Sequence, residues 1–243
     1  MATVFAEVWE TDPEEFRRAT EVTYLGSVRG TKAALRHMRP RDRGVIVQVG
    51  SALAMRAIPL QSAYCAAKAA IRGFTMSLRT ELLHEKSGVR VAMVHLPAVN
   101  TPQFTWSRSK MPREPQPVPP IFQPEVAADA IVYAATHDVG REMLLAWPTL
   151  KAVAADKLAA GAADHYLAAH GYASQQTPEP AAPDRPDNLW APVAGDHGAH
   201  GAFDRRARRR SRQFWLRRHR RGVAMLAAGA AALGLAARAR RNA

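Results

Sequence analysis

Cysteine is nearly absent from this 243-residue chain: Cys65 stands alone, which excludes an intrachain disulfide and fits a reducing compartment. Aromatic residues are scarce too, at 7% against 47% hydrophobic residues overall, so a core of one α/β domain's size is available but holds few rings. Met1 to Glu10 has neither a basic start nor a long apolar run, and predicts no secretory leader. Excess charge is missing from most of the chain as well. The formal charge is +13, but 13 of the 34 basic residues and one of the 21 acidic ones lie from Asp204 onward, leaving 21 basic against 20 acidic before it. That argues against a basic face on the globular part, and no nucleic-acid partner is expected. No internal repeat is visible.

What is present alternates helix and strand. Asp12-Pro13-Glu14-Glu15 combines a capping residue, a first-position proline and first-turn acids, and opens one long helix through Met38. Val45 to Val49 and Val89 to His95 are short apolar runs, as expected of strands buried on both faces of a parallel sheet. Ser62 to Lys86 reads as a second long helix between them, closed by Ser87-Gly88. Seven prolines between Pro102 and Pro124 impose a long loop carrying Trp106 and Phe122 as candidate substrate contacts. A helix from Pro124 to about His137, a strand Met143 to Trp147 and an alanine-rich helix Lys151 to Ala169 follow. The order predicts an α/β fold with a parallel sheet and crossover helices.

Tyr64 and Lys68 are four residues apart on the second long helix and so share a face. Ser51 falls at the carboxyl end of the first strand, where open α/β sheets place their ligands. Tyrosine normally ionises near pH 10, and a neighbouring ammonium favours the phenolate. The set suits proton transfer to or from a substrate oxygen while a nicotinamide handles the hydride, with Ser51 holding that oxygen and no metal needed.

Tyr64-Cys65-Ala66-Ala67-Lys68, with Ser51 upstream, resembles the short-chain dehydrogenase/reductase family. Gly44-Val45-Ile46-Val47 before the serine, Ala69-Ala70 and Gly73-Phe74 after the lysine, and Thr101-Pro102 after the next strand strengthen the likeness, which covers residues 1–147 and more loosely extends to 170. The resemblance implies an incomplete doubly wound, Rossmann-like parallel sheet. It implies Ser51, Tyr64 and Lys68 as the catalytic set, with Tyr64, Lys68 and Thr101 binding NAD or NADP. It also implies an alcohol or carbonyl small molecule as substrate, and pairing of two chains through the long helices. Three features depart from the family. Thr23 stands where an asparagine usually completes the proton relay, and Leu96-Pro97-Ala98 replaces a Pro-Gly turn. No Gly-x-x-x-Gly-x-Gly precedes the catalytic helix, so the expectation is that the first strands and the cofactor-phosphate half, about 80 residues, are missing and that this chain alone binds the dinucleotide weakly.

Three segments are expected: the catalytic part at 1–170, a Pro/Gly-rich extension at 171–203, and an Arg-rich segment with an apolar helix at 204–243. Gly222 to Ala237 is uncharged, with ten arginines before it and three after. This pattern suits a C-terminal membrane anchor with the catalytic part on the cytoplasmic side. Asp196, His197 and His200 share one loop and read as polar surface rather than as a metal site. The expected function is a membrane-tethered NAD(P)-dependent alcohol dehydrogenase or carbonyl reductase; the other reading is an inactive membrane-associated scaffold of the same ancestry.

Overall fold

The computed structural model describes residues 1–220 and 222–226. Three parallel strands form the main sheet in the order β2 (Gly44–Ser51), β3 (Val89–Leu96), β6 (Glu142–Leu144). β3 is central and buried along nearly its whole length, which is why its sequence is apolar except at Arg90 and His95 rather than alternating.

Successive side chains of β3 face opposite sides of the sheet, and each side has its own core. Ala92 and Val94 pack with helix α5 (Pro124–Thr136) through Val126, Ala130 and Ala134, and with Phe214 of the short helix α7 (Arg212–Arg218). Val89 and Val91 pack with Leu78 and Leu82 of helix α3 (Ser62–His84) and with Leu35 and Met38 of helix α2 (Gly26–Met38). Each fully buried aliphatic side chain here contributes about 1.5–3 kcal/mol of transfer free energy. His95, Gly50 and Glu142 fall on the α3 side by the same register.

Several elements differ from the sequence reading. The first long helix is α1 (Pro13–Ala19) and α2 joined by a π-helical stretch at Thr20–Leu25, a widening that apolar spacing does not reveal. β6 ends at Leu144 and helix α6 (Ala146–His170) begins earlier than expected. There the Ala146 amide donates to Gln213 Oε1 (2.8 Å), and its left-handed φ of 67° turns the chain out of the sheet. Ala159 kinks α6. Two small pairings were not foreseen. β1 (Val4–Phe5) runs parallel to β4 (Arg108–Ser109), and β5 (Arg113–Pro115) runs antiparallel to β7 (Gln176–Pro180). Through them the Pro-rich loop, which contains the one-turn helix α4 (Gln103–Trp106), is stitched to the N-terminal segment and to the extension. Most of the apolar stretch expected as an anchor lies outside the described residues; among those described, no helix is long and apolar enough to cross a membrane.

Candidate functional site

Ser51 is the last residue of β2, and its Oγ accepts from the Leu53 amide (3.1 Å), capping a single 3-10 turn at Ala52–Ala54. Tyr64 and Lys68 lie on the first turns of α3. Lys68 is buried; its Nζ donates to the Val49 carbonyl (2.8 Å), and it sits 5.7 Å from the centre of the Tyr64 ring. Thr101 follows the buried Asn100 in the loop beyond β3, and among the described residues no hydrogen bond joins it to the other three. The structure therefore brings Ser51, Tyr64 and Lys68 together without tying Thr101 to them.

Burial dominates the electrostatics. Tyr64 keeps part of its surface open but is crowded by protein, and that desolvation pushes its phenol up to about 12 against the opposing hydrogen bond of the Ser51 hydroxyl. Desolvation lowers Lys68 from the ordinary 10.5 to about 8. The expected lowering of the phenol by the lysine is thus not what this structure shows, because the desolvation of Tyr64 is the larger effect. Thr23 also acts differently from a relay residue. Its hydroxyl donates to the Ala2 carbonyl (3.0 Å) and accepts from the Ala2 amide (3.2 Å), so it is spent on the N-terminal segment. Burial depresses the Met1 amine, and repulsion from Lys68 adds to this.

The loop between Ser51 and Tyr64 is set by side chains far along the chain. Arg56 pairs with Asp156 (2.9 Å) and with Asp164, both on α6. Gln175, fully buried, donates to the carbonyls of Pro59 (2.9 Å) and Gly171 (2.8 Å) and accepts from Gln61 Nε2 (2.7 Å). Between those anchors Leu60 is held at a φ of 67°, which a branched residue adopts only when its surroundings enforce it. Neither Arg56 nor Gln175 carries a sequence signal: each is one polar residue in an irregular stretch.

Of the loop aromatics, Trp106 meets the His197 ring at a tilt of 60°, with centroids 4.3 Å apart, and Phe122 is buried in the core beside α5. His200 lies between Glu125 (2.7 Å) and Asp204 (3.1 Å), and among the described residues no group of three such side chains is arranged to hold a metal ion. The donor set suits one end of a nicotinamide nucleotide. Lys68 has spent one of its N–H groups, on Val49, and with the hydroxyls of Tyr64 and Thr101 it matches the hydroxyls of a ribose and the amide of a carboxamide.

A parallel α/β sheet carries a phenol and a buried ammonium one helical turn apart at its carboxyl edge. Residues 2–112 match the family described as short chain dehydrogenase. The chain is 33% identical over 135 residues to the uncharacterized oxidoreductase YxnA of Bacillus subtilis, covering 55% of this chain and 38% of that protein. It is 43% identical over 93 residues to the putative oxidoreductase SadH of Mycobacterium tuberculosis, covering 37% and 34%. The chain thus spans little more than a third of the length of these curated relatives. Among solved structures, a short chain dehydrogenase from Burkholderia cenocepacia in complex with NADP superposes with a TM-score of 0.57 at 25% identity, over 68% of this chain and 65% of that one. Over this part of its length the chain is thus similar to short-chain dehydrogenases.

Proposed function

We propose that this chain carries the catalytic centre of a nicotinamide-dependent oxidoreductase that interconverts an alcohol and a carbonyl compound. The observation that carries the reading is the buried Lys68 ammonium beside Tyr64, with Ser51 at the adjoining strand end. NAD or NADP supplies the hydride when bound; the NADP complex of the Burkholderia relative supports such a cofactor. Lys68 and Tyr64 hold its ribose, and Thr101 its carboxamide. The Ser51 hydroxyl orients the substrate oxygen and the Tyr64 hydroxyl exchanges its proton. A phenol near 12 stays protonated at neutral pH, so Tyr64 acts first as a proton donor, which suits carbonyl reduction. Incubating the chain with NADH or NADPH and a panel of aldehydes and ketones tests this: oxidation of the reduced cofactor that depends on the carbonyl supports it, and none with either cofactor goes against it.

The reading extends to location. The uncharged Gly222–Ala237 stretch with arginines at both ends tethers the chain to a membrane, the catalytic part on the cytoplasmic side. A chain that stays in the membrane pellet through a high-salt wash supports this; release by salt alone opposes it. Pairing of two chains through α2 and α3 belongs to the same proposal, and light scattering on the purified chain tests it.

A further inference from the structure

His95 is completely buried near the carboxyl end of β3, and both ring nitrogens are engaged. Nδ1 lies 2.9 Å from the Ser51 carbonyl oxygen, and Nε2 lies 2.9 Å from Glu142 Oε1. A carbonyl oxygen can only accept. Glu142 also can only accept: burial raises its carboxyl, but the Arg72 hydrogen bonds, and then His95, bring it down to about 2. Arg72 grips it through both oxygens, at 2.6 and 3.0 Å, and Arg141 adds a second guanidinium at 3.3 Å. Two acceptors, one on each ring nitrogen, require both nitrogens to carry hydrogen.

The arrangement spans the site. Arg72 is one helical turn beyond Lys68 and two beyond Tyr64 on α3. Ser51 O, His95, Glu142 and Arg72 therefore form a brace from the strand end bearing one candidate catalytic group to the helix bearing the other two. Room for the ring comes from Gly50: a Cβ there would stand 2.8 Å from His95 Nδ1 and 2.8 Å from Met93 Cε. The carbonyls on either side of Gly50 are both taken, Val49 by Lys68 and Ser51 by His95.

We propose that His95 is a positioning residue, a ring protonated on both nitrogens that fixes Ser51 relative to Tyr64 through Glu142 and Arg72. This rests on the reading that Ser51 and Tyr64 do the chemistry. It differs from a plain structural ion network in what it controls, because loosening the brace alters how the Ser51 hydroxyl is presented to Tyr64 as well as stability.

The test uses the full chain with 15N-labelled histidine and 13C-labelled tyrosine, the His95 signals being assigned by their loss in His95→Gln. In the folded wild type both His95 nitrogens report as carrying hydrogen, and in Glu142→Gln Nε2 loses its hydrogen while Nδ1 keeps it. His95→Leu raises the midpoint of Tyr64 ionisation, whereas His95→Gln, whose amide can still donate to Ser51, stays near the wild type. Glu142→Gln raises that midpoint by a smaller amount, and it carries the tyrosine test if His95→Leu does not fold. In turnover, His95→Leu lowers kcat about ten- to a hundredfold with KM little changed, and His95→Gln recovers most of the loss. An unprotonated ring nitrogen in the wild type, or a Tyr64 midpoint that is the same in every folded variant, overturns the proposal. Absence of turnover in the wild type counts against the proposed function alone, since the two spectroscopic results do not depend on it.

Discussion

The α3 side of the sheet end and the strap formed by residues 171–208 are held by opposite means. At the sheet end, polar and charged groups are taken out of water: Lys68, His95 and Glu142 are almost covered, and each is matched by one to three partners at short distance. The strap is mostly exposed, with Gln175 and Leu189 buried beneath it, and is held by many backbone and side-chain bonds to the Pro-rich loop. Asn188 N donates to Trp106 O (2.9 Å), Gly201 N to Asn100 O (3.2 Å) and Arg208 N to Ile121 O (2.9 Å). Buried charge is expensive unless paired, and surface pairs contribute little. The first region therefore concentrates free energy in a few groups, and the second spreads it over many.

Removing one partner from the sheet-end network has the largest expected effect on stability. Glu142→Ala strands Arg72 and His95 beside each other and costs about 3–5 kcal/mol in urea unfolding. A loss under about 1 kcal/mol would show that the network is more open to water than its geometry implies.

Lys68→Met has the opposite sign. Lys68 has a folded pKa of about 8 against the ordinary 10.5, so between those values the unfolded chain binds more protons than the native one. The stability of the wild type rises with pH across that window, and below about 8 the full cost of burial stands. Replacing the ammonium with an apolar chain of similar length raises stability at neutral pH by up to about 3 kcal/mol, and the advantage fades as pH climbs past 8. Unfolding curves of both proteins at several pH values check this; a less stable variant at neutral pH contradicts it. A residue held at such a cost fits a functional role.

In the strap the scale shrinks. Gln175→Ala leaves the carbonyls of Pro59 and Gly171 short of a donor and costs about 1–3 kcal/mol by the same unfolding assay. His200→Ala removes an exposed contact to Glu125 and Asp204 and leaves the unfolding midpoint unmoved within error. The His200 pKa is raised by Asp204 and then Glu125, so whatever it contributes is present at low pH and disappears as pH rises through that raised value. If His200→Ala destabilised the chain as much as Gln175→Ala, the contrast between anchored and superficial contacts would fail.

The two regions also differ in how far the sequence reveals them. Apolar runs such as Val89–Val94 and the period of Ser62–His84 locate β3 and α3, because a core imposes regular spacing on whatever packs against it. Ser51, Tyr64 and Lys68 stand out because a strand end and a helical turn fix their relative positions. The brace beneath them does not stand out. His95 reads as one more residue of a buried strand, Arg72 as a helix surface charge, and Glu142 precedes the run expected as the last strand. Their meeting is a property of sheet register, which joins Met93 to Glu142 across β3 and β6. The short pairings are less legible still: Val4 with Arg108, and Arg113 with Pro180 of the strap, are too short for any periodicity and join residues remote in sequence. The π-helical turn at Thr20–Leu25 lies hidden within an otherwise regular helix pattern.

The account stands most directly on Tyr64 as the proton donor of a nicotinamide-driven reduction. Reduced nicotinamide mononucleotide offers the reacting ring and its ribose without the rest of the dinucleotide, so it reports on the contacts assigned to Tyr64, Lys68 and Thr101. Its oxidation by an activated aldehyde is followed with the wild type and with Tyr64→Phe. The account predicts a rate that rises with wild-type concentration and falls by about 10²–10⁴-fold in Tyr64→Phe, the range general acid catalysis supplies. Equal rates for the two folded proteins would contradict it.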